Sequence, residues 1–96
     1  MSSAAAVEKI DTAPLRLDLG CGPNKREGFI GCDQYAFDGK VDVVLNLGSE
    51  PLPYADNSVE EIHTSHFVEH LGAVERCHLL NECYRVLKVG GKMTVI

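Results

Sequence analysis

Two glycines separated by one residue follow a short apolar run in the stretch LRLDLGCGPNK. Asp18 precedes this turn, which consists of Gly20, Cys21 and Gly22, and Asp33 ends the next apolar run. Glycine tolerates positive φ angles and lets a ligand approach the main chain closely. A carboxylate at the end of a strand can accept hydrogen bonds from two vicinal hydroxyl groups. These residues therefore indicate a ligand that carries a diol and lies against the backbone.

The spacing of the same residues argues against a phosphate-binding turn. A dinucleotide fingerprint needs a third glycine where Lys25 stands, and its acid lies about 20 residues after the first glycine, whereas Asp33 follows Gly20 much sooner. No G-K-[ST] sequence follows the turn. S-adenosylmethionine has a ribose diol, an ammonium and a sulfonium but no phosphate, so it suits a site with two acids. Asp18 could hold a cation there or orient the amides of the turn.

A second motif, His66-x-x-Glu69-His70, matches the H-x-x-E-H signature of zinc hydrolases. On a helix the two histidines would share a face and could bind one zinc ion, with Glu69 as general base. A third ligand is expected from a later element, yet the acids that follow, Glu75 and Glu82, both fall in the next helical stretch. Zinc hydrolysis is therefore only an alternative, and we expect no metal.

The elements that must position these residues are those of an α/β domain. Five apolar runs have the length of strands and cover residues 15–19, 29–33, 41–45, 62–65 and 92–96. The spacing of Leu79, Cys83 and Val86 predicts a helix over residues 74–87, which we expect to end in the left-handed turn Gly90–Gly91. Such strands, separated by loops and a helix, are typical of a parallel sheet. The first two connections are too short for an ordinary helical crossover, which predicts loops.

Composition limits the chain to one small globular domain. Its 96 residues are 45% hydrophobic and carry a net charge of −5, which disfavours a nucleic-acid partner. The longest apolar runs fall far short of the about 20 residues of a membrane helix. No two of the four cysteines form a C-x-x-C pair, and reduced thiols predict a cytoplasmic protein. We interpret residues 1–14 as a flexible leader and residues 15–96 as the folded domain.

Three segments in this order resemble consecutive signatures of class I S-adenosylmethionine-dependent methyltransferases, namely LRLDLGCGPNKREGFIGCD, VVLNLGSEPLPYADNSVEEIHTSHFVEHL and ECYRVLKVGGKMTVI. They look most like the small-molecule type, which carries an LPxPDNSxDEI…SHxxEH segment and an LKPGG turn. The resemblance implies a Rossmann-like open parallel sheet with strand order 3-2-1-4-5, three layers and short crossovers. It also implies transfer of a methyl group from S-adenosylmethionine to an acceptor, which we expect to be a small molecule.

The resemblance further implies a set of cofactor-binding residues: Asp18, Gly20, Cys21, Gly22, Asp33, Asn46, Leu47, Ser65 and His66. The glycine turn corresponds to the motif around the methionine moiety, and Asp33 to the acid that binds the ribose. Asn46 and Leu47 stand where the family reads adenine. Ser65 and His66 follow the fourth strand and would face the cofactor. No residue is identified as a general base.

The chain departs from the family pattern at three places. Asn46 replaces the usual aspartate, although its amide oxygen can still accept a hydrogen bond from adenine. Val89 replaces the proline of the turn after the helix. The family fold also continues beyond the fifth strand, so the chain resembles a C-terminally truncated domain. We therefore expect the 96 residues alone to lack transferase activity and to self-associate through the edge of the fifth strand. A non-catalytic S-adenosylmethionine-binding module is the alternative.

Overall fold

The architecture was analysed in a computed structural model that describes residues 14–96. The predicted leader lies outside the described residues except for Pro14. The described part contains five strands, one α-helix and one short 3-10 helix: β1 Arg16–Leu19, β2 Ile30–Asp33, β3 Val43–Val44, β4 Val59–Thr64, β5 Leu87–Val95, α1 Ala73–Val86 and the 3-10 helix Val68–His70.

The five strands form one parallel sheet in the order β3-β2-β1-β4-β5. Leu17 of the central strand lies between Ile30 of β2 and Ile62 of β4. The predicted fold class and strand order are confirmed. The short connections are confirmed as well, because residues 20–29 and 34–42 contain no helix. The order reverses between β1 and β4, and ligands of open α/β sheets bind beyond the carboxyl ends of the strands at such a point.

Helix α1 covers one face of the sheet. It buries Leu79, Cys83 and Val86, which recur at helical spacing and pack into the core with Leu17 and Leu19. Burial of each large apolar side chain contributes roughly 1.5–3 kcal/mol, and this stripe fixes α1 on the sheet. Within residues 14–96, no helix combines the length and the apolar character needed to cross a membrane.

The opposite face of the sheet is covered by a loop and by charged side chains. A Cβ atom placed on Gly31 would lie 3.1 Å from Cβ of Lys25, so the β1–β2 loop packs closely over β2. Farther along this face, Glu61 pairs with Arg16 at 3.4 Å and with Lys92 at 3.5 Å. The second covering layer is thus a loop and a row of ion pairs, where a crossover helix would otherwise stand.

The start of β5 differs from the prediction. The helix ends at Val86, and β5 begins at Leu87, which already has an extended backbone. Val59 pairs with Leu87 while Glu61 pairs with Lys92, so β5 carries extra residues that bulge from the ladder. Gly90, with φ of +83°, lies in this bulge. The glycine pair therefore permits an irregular strand. The prediction that it ends the helix is wrong.

Candidate functional site

The glycine turn after β1 directs its amide groups into the protein. The amides of Gly20 and Cys21 donate to the carbonyl oxygen of Cys32 at 2.8 and 3.4 Å, and the amide of Gly22 donates to Oδ2 of Asp33 at 2.9 Å. Both glycines have left-handed φ angles, +68° and +63°. Because these three amides already have acceptors, the turn lacks the free N–H groups that cradle a phosphate.

Asp33 ends β2 beside this turn and is 8% exposed. Its Oδ1 accepts hydrogen bonds from the amides of Gln34 and Tyr35 at 2.7 and 3.4 Å. Its Oδ2 accepts from Gly22 and has capacity for another donor, since a carboxylate oxygen accepts about two hydrogen bonds. The carboxylate is therefore held in one orientation with one acceptor direction left. Its assignment to the ribose remains a prediction.

Asp18 lies on the face of the sheet that points away from α1, in register with Gly31 and His63. It is buried, and its Oδ2 accepts a hydrogen bond of 2.9 Å from the amide of Arg26 in the β1–β2 loop. The sequence suggested that Asp18 could orient the amides of the glycine turn, but those amides bind Cys32 and Asp33 instead. The observed partner of Asp18 is an amide of the loop that follows the turn, and its contact with the cofactor remains a prediction.

Cys21 occupies the middle of the glycine turn as a neutral thiol. Partial burial, with Asp18 and Asp33 nearby, raises its pKa to about 11, and burial raises the pKa of Cys32 to about 12. Neither sulfur is therefore a thiolate nucleophile at neutral pH. The four cysteines are unpaired, and the described residues contain no group of three side chains suited to hold a metal ion.

A cleft of about 210 Å³ lies beside the carboxyl ends of β2 and β4 and the amino end of α1. It is lined by Gln34, Asn46, Leu47, Gly48, Phe67, His70, Leu71 and Glu75. Leu47 is almost fully buried, whereas Asn46 is exposed and uses its side-chain oxygen to accept from the amide of Gly48 at 2.9 Å. Ligand pockets commonly measure about 300–1,000 Å³, so this cleft can take only part of a cofactor.

Phe67 joins the cleft to the glycine turn. A Cβ atom placed on Gly20 would collide with Cγ of Phe67, so the ring fills the space that a side chain at position 20 would occupy. The ring is half-buried and packs against the core while it also lines the cleft. No local pattern reveals this contact, because it joins residues that only the β1–β4 pairing brings together.

Ser65 and His66 follow β4, as predicted, but they do not line the cleft described above. His66 is exposed and has φ of +53°, a conformation that is uncommon outside glycine and that concentrates at functional sites. Its amide donates to the carbonyl oxygen of Ile96 at 2.8 Å. The 3-10 helix begins only at Val68, so His66 and His70 do not share a helical face. The geometry required by the zinc alternative is therefore absent.

Two residues of α1 position the loop between β3 and β4. Arg85 donates to the carbonyl oxygens of Leu52 and Tyr54 and to Oδ1 of Asp56, each at 2.9 Å. Glu82 accepts from the amide of Leu52 at 2.8 Å and from Arg85, which lowers the pKa of Glu82. This network fastens the loop that follows Asn46 and Leu47. Helical periodicity alone does not reveal such a role.

A larger groove of about 660 Å³ lies at the other end of the sheet, near the start of β5. Its walls include Tyr84, Arg85, Lys88 and Val89. The guanidinium of Arg85 is already bound to loop carbonyls and carboxylates there. Because this groove lies at the amino ends of the strands, away from the reversal of strand order, we place the site in the smaller cleft.

Comparison with known proteins identifies the class. The family model described as "Methyltransferase domain" matches residues 29–95. The chain therefore belongs to the methyltransferase domain family, as the sequence resemblance predicted. No curated protein matches the chain significantly.

One crystal structure supports the fold. It is provisionally described as an S-adenosyl-L-methionine-dependent methyltransferase from Methanococcus maripaludis, with a TM-score of 0.61 and 20% sequence identity. The alignment covers 94% of this chain and 52% of that one, so the present chain spans about half the length of this relative. It also includes the region of the glycine turn, which precedes the match to the family model.

Proposed function

We propose that the chain supplies the cofactor-binding part of an S-adenosylmethionine-dependent methyltransferase that acts on a small molecule. The observation that carries this proposal is the glycine turn, whose amides at Gly20, Cys21 and Gly22 are all directed to internal acceptors. A nucleotide cofactor bound there must rely on its diol and its base and not on a phosphate. Membership in the methyltransferase domain family narrows that ligand to S-adenosylmethionine.

The residues present suit this cofactor. Asp33 is an oriented carboxylate with one acceptor direction left for a ribose hydroxyl. Leu47 offers a buried apolar wall and Asn46 a polar group at the mouth of the same cleft, which suits adenine. When bound, the cofactor supplies an activated methyl group on its sulfonium. The chain's own contribution is to fix the position of that group and to limit water around it.

We propose a cytoplasmic location for the same protein. The four unpaired cysteines support it, because thiols persist in a reducing compartment. The acidic composition supports a small-molecule acceptor over a nucleic acid.

Titration calorimetry of the purified chain tests the cofactor assignment. We expect S-adenosylmethionine or S-adenosylhomocysteine to bind more tightly than NAD, because NAD needs a phosphate cradle that the turn does not offer. Tighter binding of NAD, or no binding of either S-adenosylmethionine or S-adenosylhomocysteine, would contradict the proposal. Binding without methylation across a panel of oxygen, nitrogen and carbon acceptors is expected of the 96 residues alone, whereas methylation of any acceptor would exclude the alternative of a non-catalytic module.

A further inference from the structure

We propose that Phe67 recognises the positive charge of the sulfonium and makes the site prefer the charged cofactor over its neutral demethylated product. This inference rests on the proposed function, since it concerns the same cleft. It assigns a specificity-determining role to a residue that the sequence resemblance does not single out.

The position of the Phe67 ring favours this role. Phe67 touches Gly20 on one side and lines the cleft with Asn46 and Leu47 on the other. The methionine part of the cofactor is assigned to the glycine turn and the adenine to Asn46 and Leu47. An extended ligand that joins those two places must pass the ring between them. In S-adenosylmethionine, the sulfonium links the methionine part to the ribose and adenine.

The groups around the ring also favour a positively charged ligand. A cation is attracted to the face of an aromatic ring within about 6 Å, and the attraction increases when water is excluded. The Phe67 ring is half-buried, so a bound cation would lose part of its water there. Among the described residues that line the cleft, none is a lysine or an arginine, His70 contributes an imidazole, and Glu75 adds a carboxylate that accepts one hydrogen bond from the amide of Gly72. The surroundings therefore favour a positive ligand, and the ring is the group placed to contact it.

The missing side chain at position 20 and the core contacts of Phe67 fix the position of the ring. The glycine at position 20 is what allows the ring to reach the turn, because any side chain there would collide with Cγ of Phe67. Phe67 also packs against core residues and is therefore held in place without the ligand. A preformed wall loses little conformational entropy when the cofactor binds. The ring can thus discriminate by charge while its position stays fixed.

The test compares the affinities of S-adenosylmethionine and S-adenosylhomocysteine by calorimetry for the wild-type chain, Phe67→Leu, Phe67→Trp and Leu71→Ala. Phe67→Leu keeps an apolar side chain but removes the ring, so we expect the affinity ratio of the charged to the neutral ligand to fall by about 2- to 30-fold. Phe67→Trp should preserve or raise the ratio, since indole binds cations best. Leu71→Ala removes an apolar wall of the same cleft and should leave the ratio unchanged.

The outcomes separate the two proposals. If both ligands bind the wild-type chain and Phe67→Leu weakens them equally, Phe67 is only an apolar wall and the inference is wrong, although the proposed function stands. If neither ligand binds the wild-type chain, the proposed function fails and the inference fails with it. Should Phe67→Leu not fold, as judged by circular dichroism, a lower ratio in Phe67→Trp would overturn the inference and a preserved or higher ratio would support it.

Discussion

The amide of Gly22 donates a 2.9 Å hydrogen bond to Oδ2 of Asp33, so the glycine turn after β1 is fastened to the end of β2. The acid that the family assigns to the ribose is therefore also a structural acceptor for the turn. Because Oδ1 accepts two further amides, from Gln34 and Tyr35, three backbone groups depend on this one carboxylate. The proposed role of Asp33 in cofactor binding would thus be coupled to local folding.

The coupling predicts different effects for two substitutions of Asp33. Asp33→Ala leaves three amides without their acceptor, which should cost roughly 1–3 kcal/mol of folding stability, and it should lower cofactor affinity by about tenfold to a hundredfold. Asp33→Asn keeps one acceptor oxygen and should lose affinity with a smaller loss of stability. Urea denaturation and calorimetry measure the two effects. Unchanged affinity in both folded variants would remove Asp33 from the site.

The two glycines of the turn should differ sharply in their tolerance of alanine. At Gly22 the added Cβ meets nothing within 4 Å, so Gly22→Ala should cost only the left-handed strain of about 1–2 kcal/mol. At Gly20 the same strain is joined by a collision with the Phe67 ring, which should add about 1–3 kcal/mol. Thermal and urea denaturation of the two single variants measure this difference.

A double variant checks the physical cause of that difference. In Gly20→Ala combined with Phe67→Ala the contacts with the ring are gone, and only the close approach to Cβ of residue 67, at 2.8 Å, is left. The double variant should therefore be more stable than the sum of the two single losses implies. Strict additivity would show that Gly20 is required for its backbone conformation alone.

The sequence predicted the fold better than it predicted the contacts within the site. The apolar spacing of Leu79, Cys83 and Val86 predicted the helix to within one residue at each end, because that periodicity is local. The contact between Phe67 and Gly20 arises only when β4 pairs beside β1, so no local pattern predicts it. The glycine pair after the helix was misread because glycine permits a helix stop and a strand bulge equally, and only pairing with β4 decides between them.

The Glu82–Arg85 network should make stability sensitive to acid. The hydrogen bonds from Arg85 hold the pKa of Glu82 below its ordinary value of 4.5 in the folded chain. A lowered folded pKa stabilises the protein above the unfolded pKa, and that stability is lost as the pH falls through the folded value. We therefore expect the free energy of unfolding to decline below about pH 4.5. The difference in this free energy between the wild-type chain and Glu82→Gln should narrow in the same range.

Urea denaturation at pH 7 and at pH 3 tests this dependence. Glu27→Gln, which removes an exposed carboxylate outside the network, serves as the matched control and should follow the wild-type profile. Asp42, whose pKa is lowered by Lys25, contributes acid sensitivity of its own, so Glu82→Gln should reduce the decline without abolishing it. A stability gap between the wild-type chain and Glu82→Gln that is equally large at both pH values would contradict the assignment.

We propose, finally, that copies of the chain associate through β5. Within residues 14–96, β5 pairs with β4 on one side and has no strand on the other, and it presents exposed Val89 and Val95. An uncovered strand edge offers unpaired amides and carbonyls to another chain. The amide of Ile96 donates to Thr64 of β4, so the amide of Val95, one residue earlier, points toward the open edge. Val95→Pro therefore removes a donor from that edge without breaking the β4 ladder.

Sedimentation velocity should show association that grows with concentration in the wild-type chain and in the control Val95→Thr, and that is reduced in Val95→Pro. A wild-type chain that stays monomeric at all concentrations would refute the proposal.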